Sequence, residues 1–443
     1  MRGYFINSEK FFNTNNSMKK VFCIWFTFLF ISNLLSQETF TLEQAVNYAW
    51  ENSISLKDQN LQNEVSKIEI EKSKSNFLPT LGFSSSYNFQ SGSIIDPATN
   101  NRNTLNIQSG NFALTTSVDL FNWQTIIRLK LSKLENEKLK YQSEIIKQNL
   151  YIQIVQAFYQ LQFSKEQEKL MENQIQNTLL HLDRIQEEVK FGNKSESDLL
   201  EMKANLSNSN KQKVDASSNY KLAYLTLQNI LNKKDSTKYI FDDNQLFDHT
   251  ENLDQLYQKG VENRPDVVQS KLDEQIAQKN IEQQKSGYLP NLSANYSFSS
   301  FYTNSNKNPF SNQIIDNKSH YVGVSLNVPI FNKLQIQKSI EQSKIELERS
   351  QLKTHQLEQE YYNLMSDLYL KTNNSLEQWE ASERNLKDYQ LSFEKIEDKF
   401  KFGLITIYEY LNSKNNLLQI ESNNLIAKYS FYLNSNMLNW YSK

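Results

Sequence analysis

Two stretches of the chain carry apolar residues at helical spacing for far longer than an ordinary helix. No Gly or Pro occurs from Gln124 to Phe191 or from Lys333 to Phe402, spans of 68 and 70 residues. In the first, Ile175, Leu179, Leu182, Ile185 and Val189 recur at steps of four, three, three and four. In the second, Leu386, Tyr389, Phe393, Ile396 and Phe400 step by three, four, three and four. Such a heptad seam predicts helices packed lengthwise on other helices. Each would be about 100 Å long at roughly 1.5 Å per residue. Both stop at one tripeptide, Lys190-Phe191-Gly192 and Lys401-Phe402-Gly403, with Gly where a helix C-terminus favours it.

That coincidence exposes an internal repeat with an offset of 211 residues. Residues 190–206 read KFGNKSESDLLEMKANL and residues 401–417 read KFGLITIYEYLNSKNNL, identical at seven of 17 positions. The same offset pairs Asn52 with Asn263 and Leu78-Pro79 with Leu289-Pro290. The chain is one unit written twice: a first repeat over 37–231, a connector over 232–252 and a second repeat over 253–443. Each repeat is expected to hold a helix, a hairpin (79–121 and 290–331), a long helix (122–191 and 332–402) and a returning helix (193–231 and 404–441).

After each Leu-Pro the period changes from helical to two. Leu81, Phe83, Tyr87 and Phe89 alternate with Gly82, Ser84, Ser86, Asn88 and Gln90; Phe112, Leu114, Val118 and Leu120 alternate with Ala113, Thr115, Ser117 and Asp119. In the second repeat Leu292, Ala294, Tyr296 and Phe298 alternate with Ser293, Asn295, Ser297 and Ser299. There too, Val322, Val324, Leu326, Val328 and Ile330 alternate with Tyr321, Gly323, Ser325 and Asn327. Strands of about 9–11 residues, apolar on one side and polar on the other, suit an oblique crossing of a bilayer. A soluble sandwich would alternate too, but four strands offer no second sheet, and long helices cannot cover their apolar faces. The polar segments 91–110 and 303–320 read as outer loops. Four strands cannot close a barrel, and open edges are not tolerated in lipid, so the chain is expected to oligomerise. Two copies would supply eight strands and three would supply twelve, the latter leaving a pore.

Composition narrows the class. Only 38% of residues are hydrophobic and the mean hydropathy is −0.65, too polar for one compact core of this size, yet 12% are aromatic, against disorder. Thin helical layers with much solvated surface reconcile the two. A net charge of −2 offers no field for nucleic acid. Lys19-Lys20 followed by the apolar run 21–35 reads as an export signal over 1–36, with Met18 as an alternative start; a retained N-terminal anchor is the other reading. Cys23, the sole cysteine, lies inside it, so the mature chain is expected to have no disulfide or thiolate metal site. His181, His249, His320 and His355 show no ligand spacing, and no phosphate loop or nucleophile elbow is present. No enzyme activity, cofactor or metal is expected.

Taken together, Thr41-Leu42-Glu43-Gln44-Ala45, Asn263-Arg264-Pro265-Asp266-Val267, the two Leu-Pro signals, Val328-Pro329-Ile330-Phe331 and the two helix-ending glycines resemble the TolC family of outer-membrane efflux proteins over nearly all of 40–441. The resemblance implies a mostly α fold with a transmembrane β part: a homotrimer whose 12-stranded β-barrel sits in outer-membrane lipid and continues as a periplasmic α-helical barrel. It implies the outer membrane of a Gram-negative bacterium, a periplasmic adaptor (membrane fusion protein) and an inner-membrane pump of the RND or ABC type, in efflux or type I secretion. A structural or adhesive coiled-coil protein is the alternative, and a soluble periplasmic hydrolase a weaker one.

The resemblance also assigns candidate sites. Lys190, Phe191, Gly192, Ser195, Lys401, Phe402, Gly403 and Thr406 form the expected adaptor-docking tip. For the periplasmic gate, Asp198 falls on an acidic partner, Phe400 where the family pattern has Tyr and Ile405 where it has Arg. Glu409 and Asn412 fall on the two acidic rings, of which only Glu409 keeps the acid. Loss of the hydroxyl and guanidinium leads to the expectation of apolar closure by Phe400 and Ile405, with Glu409 carboxylates guarding the bore. Plain helix capping by Gly192 and Gly403, and a merely solvated Glu409, are the simpler readings.

Overall fold

A run without Gly or Pro keeps every helical hydrogen bond, and its apolar stripe is buried only by packing on neighbours. The computed structural model describes residues 39–95, 99–233, 238–239 and 252–442. The export signal, His249 and most of the connector lie outside the described residues. The first repeat reads β1 (Thr39–Phe40), α1 (Leu42–Asn52), α2 (Ile54–Ser75), β2 (Thr80–Ile95), β3 (Arg102–Phe121), α3 (Trp123–Lys190) and α4 (Glu196–Leu231). After β4 (Lys238–Tyr239) the second reads α5 (Leu253–Val261), α6 (Pro265–Lys285), β5 (Asn291–Thr303), α7 (Phe310–Asp316), β6 (Ser319–Asn327), α8 (Gln335–Lys401) and α9 (Ile407–Tyr441). Helix starts are set by side-chain caps: Thr41 with Gln44 opens α1, and Asn252 with Gln255 opens α5. The chain is thus mostly helical with one four-stranded sheet and two structural repeats.

The described residues divide into two compact units. One holds those of 1–53, 150–247 and 372–437. In it β1 and β4 pair in parallel, Thr39 opposite Lys238 and Phe40 opposite Tyr239. Ile154, Phe158 and Leu161 of α3 pack with Leu227 and Leu231 of α4 and with Ala45, Val46 and Ala49 of α1. A second apolar group joins Val155 and Tyr159 of α3 to Tyr429, Phe431 and Tyr432 of α9. The Tyr159 and Tyr432 rings stack at 6.3 Å, and Asn436 Nδ2 donates to the Tyr159 hydroxyl at 2.6 Å.

The other unit holds those of 54–149, 248–371 and 438–443. Its helices are joined by polar as well as apolar contacts. Lys138 pairs with Asp273 at 2.5 Å. The Arg264 guanidinium forks onto Asp266 at 2.6 and 2.8 Å and lies over the rings of Tyr361 and Tyr441. Tyr361 donates to the Tyr441 carbonyl at 2.6 Å, and burial pushes its phenol up to about 12.

The sheet in this second unit runs β2-β3-β5-β6, antiparallel throughout. Register sorts the side chains. Leu81, Thr116, Tyr296 and Val322 form one row across the four strands, and Phe83, Leu114, Phe298 and His320 the next on that face. Between them, on the opposite face, lies Gly82, Thr115, Ser297 and Tyr321; the next row there is Ser84, Ala113, Ser299 and Ser319. One face is mainly apolar and aromatic, the other mainly small and polar, with Tyr321, Phe301 and Ile107 among its exceptions. Leu81, Phe83 and Val322 stand 73%, 70% and 77% exposed. Among the described residues, β2 and β6 each have one unpaired edge.

The strands depart from their sequence patterns at the ends. Segment 91–110, read as an outer loop, supplies the outer half of the hairpin: β3 begins at Arg102, opposite Ile95. Segment 303–320 holds the short helix α7 and the first residues of β6. β6 stops at Asn327 although alternation continues to Ile330, because Pro329 has no N–H for the ladder.

Candidate functional site

The two helix-ending turns are built alike, hydrogen bond for hydrogen bond. α3 closes with Gly192 N–H donating to Val189 O at 3.0 Å and Asn193 N–H to Glu188 O at 2.8 Å. α8 closes with Gly403 N–H to Phe400 O at 3.1 Å and Leu404 N–H to Lys399 O at 2.9 Å. Gly192 has φ +77° and Gly403 φ +70°. Nothing lies within 4 Å of where a Cβ would stand, so the left-handed backbone, not lack of space, calls for glycine.

The next helices start with matching capping boxes. The Asp198 carboxylate accepts from Ser195 N–H at 3.1 Å and Oγ at 2.9 Å, while Ser195 Oγ accepts from Asp198 N–H at 3.1 Å. The Glu409 carboxylate accepts from Thr406 N–H at 2.9 Å and Oγ1 at 3.0 Å, with Thr406 Oγ1 accepting from Glu409 N–H at 3.2 Å. These bonds hold the Glu409 carboxyl below its ordinary range. The signature was present in the sequence as Ser-x-x-Asp and Thr-x-x-Glu three residues past each glycine.

Of the tip residues, Phe191 and Phe402 project almost free, 78% and 80% exposed, with Leu404 beside the latter. Lys190 pairs with Glu187 at 2.6 Å; Lys401 pairs with Glu397 at 3.1 Å, and its carbonyl accepts from Arg184. The gate residues separate. Glu409 and Asn412 are exposed and Asp198 is half-buried. Phe400 is buried within its own chain, stacked on Tyr410 with centroids 4.3 Å apart, and Ile405 packs against the same group. That group also contains Leu182 and Ile185 of α3, Met202 of α4 and Ile407 and Leu411 of α9, so it fastens the ends of all four helices together.

One polar cluster escaped the sequence reading. His181 Nε2 lies 3.1 Å from Glu397, and its ring packs on Tyr410 and Phe400. Lys414 is buried and donates to Thr178 Oγ1 at 3.1 Å; burial, partly offset by Glu397, lowers its ammonium to about 8. His181 is lowered too, by burial first, then by Lys414, with Glu397 opposing and Lys401 adding a smaller push. A signal existed: Ile407, Tyr410, Leu411, Lys414 and Leu418 share one helical stripe, which puts Lys414 on a core position. His355 is exposed beside Glu358, and the His320 ring lies tilted against Phe298 in the apolar row of the sheet, with centroids 4.9 Å apart.

The exposed apolar sheet face, the two matched helical turns and the doubled architecture have a counterpart among known proteins. The model of the outer membrane efflux protein family matches residues 45–233 and again 256–440. The chain belongs to that family. Over 400 residues, 88% of each chain, it is 20% identical to outer membrane protein TolC of Vibrio cholerae serotype O1. The structure of CusC superposes with a TM-score of 0.78 at 15% identity, covering 90% of this chain and 91% of that one. The CmeC outer membrane channel of Campylobacter jejuni gives 0.77 at 17% identity, covering 90% and 85%. The family places this protein in the outer membrane as an efflux channel, with its helical part in the periplasm.

Proposed function

We propose that three copies close their sheets edge to edge into one twelve-stranded barrel, whose bore continues through the helices as the exit duct of a tripartite efflux or type I secretion assembly. The observation that carries this is the register. Across all four strands largely apolar rows alternate with largely polar ones, and among the described residues both outer strands keep an unpaired edge. An apolar face of this size belongs against lipid, the polar face against water, and a free edge in lipid must find a strand. A rod-like adhesive anchor has no use for a wet sheet face, so the duct accounts for more of the sheet.

In this reading the protein supplies no energy. A periplasmic adaptor and an inner-membrane pump of the RND or ABC type deliver the cargo. The matched turns around Gly192 and Gly403 are the docking points: three chains present six of them, each with an exposed phenylalanine beside a glycine. Phe191 and Phe402 are exposed aromatics of the kind enriched at interface cores. Glu409 lines the inner mouth as one of three carboxylates and also caps α9. Asn412 is its neutral neighbour, and the buried Phe400 and Ile405 brace the mouth from within each chain rather than plug it. Recording from purified protein in a planar bilayer tests the duct: discrete, long-lived conductance steps are expected, and a silent membrane holding correctly folded protein would refute it.

A further inference from the structure

The segment that joins β5 to β6 is not a bare loop. Residues 304–318 fold into a small lobe around Gln313, whose side chain is buried. Gln313 Nε2 donates to the Asn306 and Asn308 carbonyls at 3.0 and 2.8 Å, and its Oε1 accepts from Thr303 N–H at 3.0 Å. Asn317 Nδ2 donates to Phe301 O at 2.8 Å, and Ser300 Oγ to Ile314 O at 2.8 Å. Asn304 extends the pairing to β3: its N–H donates to Gln108 O and its Oδ1 accepts from Gln108 N–H. With each of these groups satisfied, the lobe has a fixed seat.

The seat lies on the apolar face. Ser300, Tyr302 and Phe112 belong to the same side of the sheet as Phe83, Leu114 and Phe298. Phe310 of α7 rests on the rings of Tyr302 and Phe112, with centroids 5.2 and 6.1 Å away. Even so, Phe310 and Ile315 remain more than half exposed. Packing on Tyr302 and Phe112 would be favourable in water as well, but the two apolar side chains left exposed beside the apolar sheet face extend it into one patch of the kind that meets an apolar environment. Aromatic residues at the rim of a membrane-facing sheet belong to the bilayer border. Lys307 and Lys318 flank the pair; both are exposed, and among the described residues neither makes an ion pair, while Asp316 is the only acid in 304–318. Long lysine side chains at such a border reach toward phosphate.

We propose that residues 304–318 form a lipid-seating lobe, with Phe310 and Ile315 entering the bilayer border and Lys307 and Lys318 binding the phosphate of anionic membrane lipid. This rests on the assignment of the apolar sheet face to lipid. The lobe thickens the membrane contact of each chain where β5 and β6 are shorter than the β2–β3 hairpin, and it fixes how deeply the outer rim sits.

The test uses full-length protein, carrying Cys23→Ser, in vesicles of phosphatidylcholine with phosphatidylglycerol. A nitroxide is placed at Ile315→Cys or, as reference, at Leu114→Cys. Collisions with oxygen should exceed those with a water-soluble nickel chelate at both sites. If Leu114 is oxygen-dominated and Ile315 nickel-dominated, the lobe stands in water and the proposal is overturned. If Leu114 itself is nickel-dominated, the assignment of the sheet face fails instead. In a second arm, spin-labelled phosphatidylglycerol should be held more tightly than spin-labelled phosphatidylcholine. Lys307→Gln and Lys318→Gln should each cut that preference about fivefold, the equivalent of roughly 1 kcal/mol per lysine at an anionic surface. An unchanged preference in the double variant would remove the lysines from lipid binding.

Discussion

Glu409 and Asp198 illustrate how one residue type at one spacing does local work first. Each carboxylate is engaged as the reciprocal partner of a helix cap, which makes Glu409 a capping residue whether or not it also lines the proposed mouth. Glu409→Gln keeps the acceptor and removes the charge. Cation block and selectivity of single channels should therefore fall while thermal stability moves little; unchanged block would take Glu409 out of the conduction path. At the glycines, alanine finds space but a disfavoured backbone. Gly192→Ala and Gly403→Ala should each cost about 1–2 kcal/mol in denaturant unfolding. The His181 cluster gives a pH dependence with a definite sign. His181 is held below 6.5, so the folded chain prefers it neutral while the unfolded chain takes up a proton. Stability from this site is present above 6.5 and lost as pH falls from there toward the lowered value. Lys414, at about 8 against 10.5, makes stability rise with pH between those values. Melting temperatures across the acid range should drop in the native chain and drop less in His181→Phe. Lys414→Met, which replaces a buried charge by an apolar chain of similar length, should melt higher at neutral pH.

At the scale of elements, the sequence was most informative where one physical requirement governed many residues. α3 and α8 were legible because a heptad stripe without Gly or Pro admits no other structure. β2 and the inner half of β3 were legible because one face needs lipid and the other water. Residues 102–110 were not, since two apolar residues, Leu105 and Ile107, among polar ones carry too little alternation to be told from loop; only their pairing with β2 shows strand. α7 was hidden for a related reason: seven largely polar residues carry too little period, and its hub, Gln313, works through backbone carbonyls. At the tip, the heptad predicted that Phe400 would be packed, but not by what. A seam residue looks the same whether its partner is in its own chain or in a neighbour, and here Tyr410 of the same chain takes it. The division of the sheet faces is open to direct measurement. Leu114→Arg puts a cation on the apolar face and should cost about 2–4 kcal/mol at mid-bilayer depth. Thr115→Arg, one residue on and on the polar face, should assemble normally. The comparison is the fraction of each recovered as folded protein in the outer membrane; equal recovery would show that the faces are not so divided.

For the whole molecule, the decisive fact is incompleteness. Among the described residues a single chain exposes an apolar sheet face and two unpaired strand edges, each a liability alone and each removed if the proposed barrel closes with lipid outside. Doubling within the chain has the same logic: two similar repeats supply two hairpins and two matched turns, so the proposed trimer would offer a near-sixfold surface from three genetically identical parts. The direct test is the mass of the purified protein by light scattering with the bound detergent subtracted. Three times the mass of the mature chain is the result this account requires. A chain that stays monomeric, and stays soluble when detergent is withdrawn, would contradict it.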